Sequence, residues 1–163
     1  TEFSNFAKMP KANYEKINLQ QTLLNSISLF RDLENMELQF KSLVEGDAWV
    51  WADREQMLRV FNNLLKNAIQ AIPENKKGLL EVVLKSEKEN FLVIVSDNGI
   101  GIDESTIHKI FTPNFTTKNA GMGLGLAMVK NIIENTGGHI WFETKVDFGT
   151  TFFVSLPAFK TES

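Results

Sequence analysis

Two asparagines stand four residues apart in an otherwise apolar stretch, Asn63-Leu64-Leu65-Lys66-Asn67-Ala68. Residues at this spacing share one face of a helix. Asparagine is a mediocre helix former, so two of them in such a stretch need a reason. A neutral amide oxygen suits a Mg²⁺ ion that already carries phosphate oxygens and waters. The alternative is a pair of solvated polar residues with no ligand.

A second cluster, Asp97-Asn98-Gly99-Ile100-Gly101-Ile102, directly follows the apolar run 91–96. Its Asp-Asn-Gly start is a strong turn signal, so a plain turn is the simplest interpretation. Two features favour a ligand instead. A carboxylate stands at the end of a predicted strand, and the glycines beyond it let a flat ligand approach the backbone closely. Such an aspartate could accept a hydrogen bond from an exocyclic amine like that of adenine.

A third cluster, Gly121-Met122-Gly123-Leu124-Gly125-Leu126, opens a predicted helix. Glycines before a helix N-terminus expose backbone N–H groups to an anion, and the helix dipole assists. The cluster is not a P-loop, because no Gly-Lys-Ser/Thr follows. It is not a dinucleotide fingerprint either, since the spacing differs and an irregular loop precedes it.

The stretch between the second and third clusters, Ile110-Phe111-Thr112-Pro113-Asn114-Phe115-Thr116-Thr117-Lys118, lacks a regular period. Long irregular stretches inside compact domains are usually functional or mobile. Phe111 and Phe115 could pin such a loop when it closes, and Lys118 could meet a phosphate. The alternative is a loop tucked into the core by its aromatic rings.

Helices and strands alternate along the chain in a way that would position these clusters. The pattern predicts a helix capped by Asn18, with Gln21 in capping-box position and an apolar stripe reaching Leu33. A second helix would begin at the Asp53 cap and end before Pro73. A short helix would be capped by Asp103, and a longer one would cover 124–136.

Seven short apolar runs predict strands. Two of them flank the Glu45-Gly46-Asp47 turn, and another two form a hairpin around a polar turn. The runs are 14–17, 38–43, 48–51, 79–84, 91–96, 140–144 and 151–156. This order predicts an α+β two-layer sandwich, with a mixed, mostly antiparallel sheet of about five strands on about three helices.

Length, composition and charge exclude several classes of function. At 163 residues we expect one folded unit over 14–160, preceded by a helix end and linker over 1–13. The net charge of −3 argues against nucleic acid or an anionic membrane as the main partner. The absence of Cys excludes thiolate catalysis, and two His are too few for a His-rich metal site. No apolar run could span a membrane. Since Thr1 replaces an initiator Met, we expect a fragment of a longer protein.

Taken together and in this order, the clusters resemble the ATP-binding catalytic domain of sensor histidine kinases, which has the Bergerat fold. Residues 63–68 look like that family's N box and 97–102 like its G1 box. Residues 110–115 look like the F box and 121–126 like the G2 box. The resemblance covers about 14–158, including the closing strands. Residues 1–13 resemble the end of the second helix of the dimerisation and histidine-phosphotransfer domain. The run from Phe3 to Pro10 and the Phe-Thr-Thr-Lys loop at 115–118 look most like nitrogen-regulation-type kinases.

The resemblance implies a role for each matched residue. Asn67 would ligate Mg²⁺ with Asn63 assisting, and Asp97 would bind the adenine amine of ATP. Residues 112–123 would form a flexible ATP lid, in which Lys118 neutralises phosphate charge. The remaining implied nucleotide contacts are Lys66, Gly99, Gly101, Ile102, Phe111, Phe115, Gly121, Met122, Gly123, Leu124, Gly125, Leu126 and Thr150. For Lys66, a solvated helix lysine is the simpler interpretation.

The same fold type serves chaperone, gyrase and mismatch-repair ATPases, which are the rival interpretation. Those enzymes carry a Glu one helical turn before the Mg²⁺-binding Asn, where this chain has Asn63. An amide cannot take a proton near neutral pH, so efficient hydrolysis is not expected. Glu55 is three turns from Asn67 and should point elsewhere. A third option is a non-catalytic nucleotide-binding interaction domain.

The resemblance also implies partners. The γ-phosphoryl group would pass to a His on a separate dimerisation domain, and from there to an Asp of a response-regulator receiver domain. Neither His108 nor His139 has the sequence surroundings of the family's acceptor His, so the acceptor lies outside this chain. We expect a monomeric fragment, a homodimeric full-length kinase and a cytoplasmic location, with an inner-membrane anchor of the full-length protein left open.

Overall fold

The computed structural model describes residues 11–113 and 122–160. The strands are β1 Tyr14–Asn18, β2 Met36–Ser42, β3 Trp49–Asp53, β4 Gly78–Glu87, β5 Asn90–Asp97, β6 His139–Lys145 and β7 Gly149–Pro157. The helices are α1 Leu19–Ser28, α2 Arg54–Gln70 and α3 Met122–Asn135, with a short 3₁₀ helix at Ile107–Lys109.

Five strands form the main sheet, in the order β2-β4-β5-β7-β6. β2 lies parallel to β4, and the other three pairs are antiparallel. β1 and β3 pair antiparallel as a separate two-stranded sheet. The predicted α+β fold, with a mixed sheet of five strands and three helices, is confirmed, while the small second sheet was not anticipated.

Alternation along the strands explains why the helices cover one face of the main sheet. In β4, Leu80, Val82 and Leu84 are buried, whereas Leu79 and Glu81 between them are exposed. The buried face meets the apolar stripes of α2 and α3, whose fully buried members include Phe61, Leu64, Leu65, Val129, Ile132 and Ile133. Each such burial stabilises the fold by roughly 1.5–3 kcal/mol.

Side-chain caps fix where the first two helices begin, as predicted. Asn18 accepts a hydrogen bond from the Gln20 N–H (3.1 Å) at the start of α1. Asp53 accepts one from the Gln56 N–H (3.0 Å) at the start of α2. The predicted capping box is wrong, because the Gln21 side chain donates to Asn25 instead of turning back to the cap.

The predicted extent of α1 to Leu33 is also wrong. The helix ends at Ser28, where Leu29 N–H and Phe30 N–H bond to carbonyls three residues back and close the last turn. Of the two stripe residues beyond the helix, Phe30 still packs against the core, whereas Leu33 is exposed. The apolar spacing therefore continues past the end of the helix itself.

One other local prediction needs correction. Asp103 caps no helix: the 3₁₀ helix begins after Thr106, and Asp103 instead accepts bonds in the turn before it. The strands predicted on either side of the 45–47 turn are present as β2 and β3, which belong to different sheets. The hairpin of β4 and β5 is confirmed.

Candidate functional site

Asp97 is the last residue of β5, and the backbone that surrounds it holds one of its carboxylate oxygens. Oδ1 accepts the N–H of Gly99 at 2.8 Å and the N–H of Thr150 at 3.2 Å. Within the described part of the chain, no hydrogen bond reaches Oδ2. One oxygen is thus fixed by the protein, and the other can accept a bond from a ligand.

Burial raises the pKa of Asp97 above its ordinary value. The two backbone N–H groups and the charge of Lys76 act in the opposite direction, but desolvation is the larger effect. A partly desolvated carboxylate at the start of a loop is the kind of group that functional sites use. It gains most from a ligand donor that replaces the lost water.

The loop after Asp97 is attached to both layers of the fold. The Asn98 side chain accepts from the Leu79 N–H (2.8 Å) and donates to the Lys77 carbonyl (3.1 Å). The Ile100 N–H donates to the carbonyl of Ala71 at the end of α2 (2.9 Å). The position of Asp97 therefore depends on α2 as well as on the sheet.

Close backbone contacts explain both glycines of this loop. A Cβ on Gly99 would lie 2.5 Å from the Ala71 carbonyl oxygen. Gly101 has a φ of +76°, and a Cβ there would lie 2.5 Å from the Lys145 carbonyl oxygen. Both positions need glycine for contacts within the protein. That these glycines also make room for a base stays a prediction.

A pair of threonines connects the loop to the end of the sheet. The Ile102 N–H donates to Thr144 Oγ1 (2.9 Å), and Thr144 Oγ1 lies 2.9 Å from Thr150 Oγ1. Thr150 is buried, and its N–H is one of the two that hold Asp97. Ile102 and Thr150, both predicted site residues, therefore lie in one network with Asp97.

The two asparagines lie on α2, as predicted, and differ in their surroundings. Asn67 is 5% exposed, and its Nδ2 has no hydrogen-bond partner among the described residues. Asn63 is half-buried and contacts α3. Lys66 is exposed between them. Because buried amides are normally bonded, the Asn67 amide is a group that a ligand could complete.

Helix α3 begins at Met122 and includes Gly123 and Leu124 in its first turn. Gly125 packs directly against Asn63, since a Cβ at this position would collide with the Asn63 amide. Leu126 is buried in the core. The third cluster thus lies at the start of a helix, as predicted, and beside the first cluster.

Phe111 packs into the core from the segment after the 3₁₀ helix. Its ring lies 5.8 Å from that of Phe142 and 6.4 Å from that of Phe152, both edge to face. Lys130 Nζ lies 5.3 Å from the ring centre. These contacts agree with the core interpretation of this residue, and its contact with a nucleotide stays a prediction.

Three predicted site residues, Phe115, Lys118 and Gly121, lie outside the described residues, as does most of the predicted lid.

On the α1 side of Asn63 and Lys66 there is a groove of about 450 Å³. It is also lined by Leu29, Phe30, Glu55, Leu58, Arg59 and Asn62. Glu55 thus faces a groove to which Asn67 does not contribute, as the helical spacing predicted.

The sequence did not indicate two residues that hold the loop after Asp97. Asn98 bonds to the backbone of Leu79 and Lys77, and Thr144 bonds to Ile102 and Thr150. Asn98 was considered only as part of a turn signal, although an Asn within such a loop often bonds to neighbouring backbone. Thr144 gave no signal, because its partners Ile102 and Thr150 come from other segments. Among the described residues, no cluster of three acidic or His side chains could hold a metal ion.

Comparison with known proteins identifies the family. Residues 52–160 match the family model described as histidine kinase-, DNA gyrase B-, and HSP90-like ATPase. Sporulation kinase E of Bacillus subtilis (strain 168) is 33% identical over 161 residues. That match takes in 96% of this chain but 21% of the relative, so the chain spans about a fifth of that relative's length.

Solved structures of a histidine kinase are also similar to this chain. The nucleotide-free catalytic domain of histidine kinase ThkA is 34% identical, with a TM-score of 0.79 over 90% of this chain and 96% of that one. ThkA in complex with the response regulator protein TrrA has a TM-score of 0.80 at 29% identity, over 97% of this chain and 46% of that one.

One finer prediction is not decided by these relatives, since the nitrogen-regulation type is not confirmed and stays a prediction. None of the helices in 11–113 and 122–160 has the length and hydrophobicity that a membrane span requires. The chain belongs to the histidine kinase-, DNA gyrase B- and HSP90-like ATPase family, and within it to the ATP-binding catalytic domains of sensor histidine kinases.

Proposed function

We propose that this chain binds Mg²⁺ and ATP and transfers the γ-phosphoryl group to a His of a separate dimerisation domain. The observation that carries the proposal is the Asp97 carboxylate, with Oδ1 held by two backbone N–H groups and Oδ2 open to a ligand donor. The exocyclic amine of adenine is such a donor. Thr150, Ile102, Gly99 and Gly101 would complete the adenine end of the site.

Asn67 fits a Mg²⁺ ion that carries phosphate oxygens. Its amide is buried, and Nδ2 has no partner within the described residues. Turning the amide so that its oxygen takes the place of Nδ2 would therefore break no hydrogen bond of Nδ2 to those residues and would give the metal a neutral ligand. Asn63, held against Gly125, would assist at the metal or the phosphates. A bound Mg²⁺ would neutralise part of the triphosphate charge.

Transfer is favoured over hydrolysis because the site lacks a general base at the critical position. Asn63 stands one turn before Asn67, and its amide cannot accept a proton from water near neutral pH. Glu55 precedes Asn63 by eight residues, about 12 Å along the helix, and lines the groove on the α1 side. An acceptor imidazole needs less help, since its own ring nitrogen attacks.

The transfer step would proceed as follows. A neutral imidazole nitrogen of the acceptor forms the new bond to the γ-phosphorus, and the bond from that phosphorus to the bridging oxygen breaks. ADP leaves with the electron pair. The chain contributes alignment and charge neutralisation, which account for most phosphoryl-transfer catalysis. Lys118 and Lys66 are the candidate cations. Residues 112–123 would form the lid, and Gly121, Gly123 and Gly125 would wrap the phosphates. The remaining candidate nucleotide contacts are Phe111, Phe115, Met122, Leu124 and Leu126.

The partners of the longer protein follow from this reaction. The phosphoryl group would pass from the His to an Asp of a response-regulator receiver domain, and the solved complex of ThkA with TrrA supports such a partner. We propose that residues 14–160 form the catalytic domain and that 1–13 lead in from the dimerisation domain. The site would act in the cytoplasm, in a homodimeric kinase.

The first test is a calorimetric titration of this chain with ADP and ATP, each with and without Mg²⁺. We expect both nucleotides to bind, with Mg²⁺ changing the affinity for ATP more than that for ADP. Incubation of the same chain with γ-labelled ATP should give neither a labelled protein nor steady phosphate release. The longer protein with its dimerisation domain should become labelled on His.

Each alternative has its own outcome. Steady release of phosphate by this chain alone would favour a hydrolysing conformational machine. Failure to bind either nucleotide would favour a non-catalytic interaction domain and would overturn the proposal. Nucleotide binding without labelling of the longer protein would keep the pocket and reject the kinase reaction.

A further inference from the structure

The chain contains one asparagine that is followed by glycine, Asn98, and it lies directly after Asp97. An asparagine in this position is prone to deamidation, because glycine has no side chain to hinder attack by its own backbone nitrogen. Asn98 is half-buried and begins the loop that leads away from β5. A chemical change at this residue would therefore act on the adenine end of the proposed site.

The reaction needs water and neither an oxidant nor a reductant. The backbone nitrogen of Gly99 gives up its proton and attacks Cγ of Asn98, and the bond from Cγ to Nδ2 breaks. The amide group leaves as ammonia, and a five-membered succinimide ring remains. Water then opens the ring at one of its two carbonyls. The product is an aspartate or an isoaspartate, whose main chain passes through Cβ and Cγ and is longer by a carbon atom.

The hydrogen bonds of the folded loop use the same atoms that this reaction changes. Oδ1 of Asn98 accepts from the Leu79 N–H at 2.8 Å, and Nδ2 donates to the Lys77 carbonyl at 3.1 Å. The Gly99 N–H donates to Asp97 Oδ1 at 2.8 Å. Ring closure removes Nδ2 and leaves the Gly99 nitrogen without a hydrogen, so both donated bonds are lost. The closed loop therefore opposes the reaction.

The next residue of the loop is held from two further sides. The Ile100 N–H donates to the Ala71 carbonyl at 2.9 Å, and the Ile100 carbonyl accepts from the Asp147 N–H at 2.8 Å. The loop must open locally before the Asn98 side chain can turn, and such an opening costs free energy. The rate of deamidation should therefore report how often this loop opens.

Neither product can restore the lost bonds. The new carboxylate places oxygen lone pairs against the Lys77 carbonyl, at the point where the Nδ2 of Asn98 donated. An isoaspartate also lengthens the main chain between Asp97 and Gly99, and so it moves the Gly99 N–H away from the carboxylate that it holds. Either change should weaken a ligand that bonds to Asp97.

We propose that Asn98 is a deamidation site that the closed loop protects, and that deamidation there inactivates the adenine end of the pocket. A nucleotide bound at Asp97 would hold the loop closed and protect Asn98 further. The effect of the nucleotide rests on the proposed function, whereas the protection by the loop does not.

The first experiment measures the rate of deamidation at Asn98 by peptide mapping and mass spectrometry at mildly alkaline pH. The folded chain should react at least about tenfold more slowly than the same chain unfolded in guanidinium chloride. ADP at about ten times its dissociation constant should slow the folded chain by roughly another tenfold, because it binds the closed loop only. Asn135 is the internal control, since it is exposed but followed by Thr136 and should stay intact.

The second experiment measures the consequence for binding. The deamidated chain is separated from the parent by its additional negative charge, and its affinity for ADP is compared by calorimetry with that of Asn98→Asp. Both should bind ADP at least about tenfold more weakly than the parent. The matched control is Asn90→Asp, which adds the same charge at the opposite end of β5 and should bind as the parent does.

The outcomes separate this proposal from the proposed function. Equal rates in the folded and the unfolded chain would overturn the protection, and parent-like affinity of the deamidated chain would overturn its consequence. Equal losses in Asn98→Asp and Asn90→Asp would assign the effect to net charge and would also overturn it. A parent chain that binds no ADP would overturn the proposed function, while the two rates would still decide the protection. The rates involve no variant, so they are decisive even if Asn98→Asp does not fold.

Discussion

The two ends of the proposed nucleotide site are built differently. At the adenine end, the polar groups of the loop are bonded within the protein, through Asp97 Oδ1, both ends of the Asn98 amide and the Thr144 hydroxyl. At the phosphate end, the buried Nδ2 of Asn67 has no partner among the described residues. Asn63 is placed there by its close packing on Gly125.

This difference suggests that the adenine end is ready before the ligand arrives, whereas the phosphate end is completed by it. A buried amide group without a partner costs about 1–3 kcal/mol, and a ligand that satisfies it recovers that free energy. Mutations should therefore affect the two ends in different ways. At the adenine end they should disturb both fold and affinity, and at the phosphate end chiefly the response to Mg²⁺.

The largest effect is expected from Asp97→Asn. If the new amide oxygen keeps the bonds from Gly99 and Thr150, its NH₂ group faces the adenine amine, and two donors oppose each other. Loss of a buried charged acceptor should weaken ADP binding by about 1,000-fold, below the limit of calorimetry. The matched control is Asp103→Asn, an exposed carboxylate in the same loop.

Asp103→Asn should bind ADP as the parent does. If Asp97→Asn kept parent-like affinity, the pocket would be assigned to the wrong residue. If both variants lost affinity equally, the effect would come from the net charge of the loop and not from one hydrogen bond.

The next effect concerns the fold at the adenine end. Gly101 and Gly46 have nearly the same φ, +76° and +79°. A Cβ on Gly101 would collide with the Lys145 backbone, whereas one on Gly46 would meet nothing within 4 Å. Gly46→Ala should lower the free energy of unfolding by about 1–2 kcal/mol, from backbone strain alone. Gly101→Ala should lower it by about 3–4 kcal/mol, since the collision adds to the strain.

Denaturant unfolding of both variants checks this difference. Equal losses would mean that the loop can move away from β6 without penalty, and the adenine end would then be less rigid than its hydrogen bonds suggest.

The sequence predicted the elements of this site better than the contacts between them. Local signals were sufficient for the Asp53 cap, the hairpin of β4 and β5 and the glycine-rich start of α3, because each depends on neighbouring residues. The packing of Asn63 on Gly125 and of Gly101 on Lys145 joins distant segments. No single-sequence pattern reports such pairs, so the glycines could be noticed without their reason being found.

The error at α1 has the same origin. Apolar residues continue at helical spacing through Phe30 and Leu33, but the helix ends at Ser28, and of these two residues only Phe30 packs against the core. Whether a periodic residue is buried depends on what the rest of the fold places against it. Residue spacing likewise could not decide whether the Phe residues of the 110–118 segment pin a closing loop or pack into the core. For Phe111, the contacts come from aromatic rings on β6 and β7.

At the phosphate end, Asn67→Ala and Asn62→Ala form a matched pair on one helix. Asn62 accepts a hydrogen bond from the buried Ser26 hydroxyl, so its loss should lower the free energy of unfolding by about 1–2 kcal/mol. Asn67→Ala removes an amide whose Nδ2 has no partner among the described residues. The desolvation penalty that it relieves should roughly offset the packing that it loses, so stability should change by less than about 0.5 kcal/mol. The ATP affinity of this variant in the presence of Mg²⁺ should fall about tenfold.

Titration with ATP and Mg²⁺ and denaturant unfolding measure the two quantities. Asn62→Ala should keep the Mg²⁺ effect on ATP binding, and Asn67→Ala should lose it. A Mg²⁺ effect that survives in Asn67→Ala would assign the metal to another residue, and a large loss of stability in that variant would show that its amide is not an unsatisfied group.

The smallest effect is a pH dependence at Asp97, in which the stability of the fold and the affinity for ADP change in opposite directions. Burial raises the pKa of Asp97, while the N–H groups of Gly99 and Thr150 and the charge of Lys76 partly offset it. With a folded-state pKa above the unfolded value, the group stabilises the fold fully below the unfolded pKa. That stabilisation is lost as the pH rises through the folded pKa.

Adenine binding needs the ionised carboxylate as an acceptor, so affinity should rise across the same pH interval in which the nucleotide-free fold loses stability. The difference in unfolding free energy between the parent and Asp97→Asn isolates the first change, and the dissociation constant for ADP between pH 4 and 7 reports the second, on the order of a few-fold. Affinity that stays constant until the ordinary range of an aspartate would mean that desolvation does not govern this carboxylate. The adenine end would then be more open to water than its burial implies.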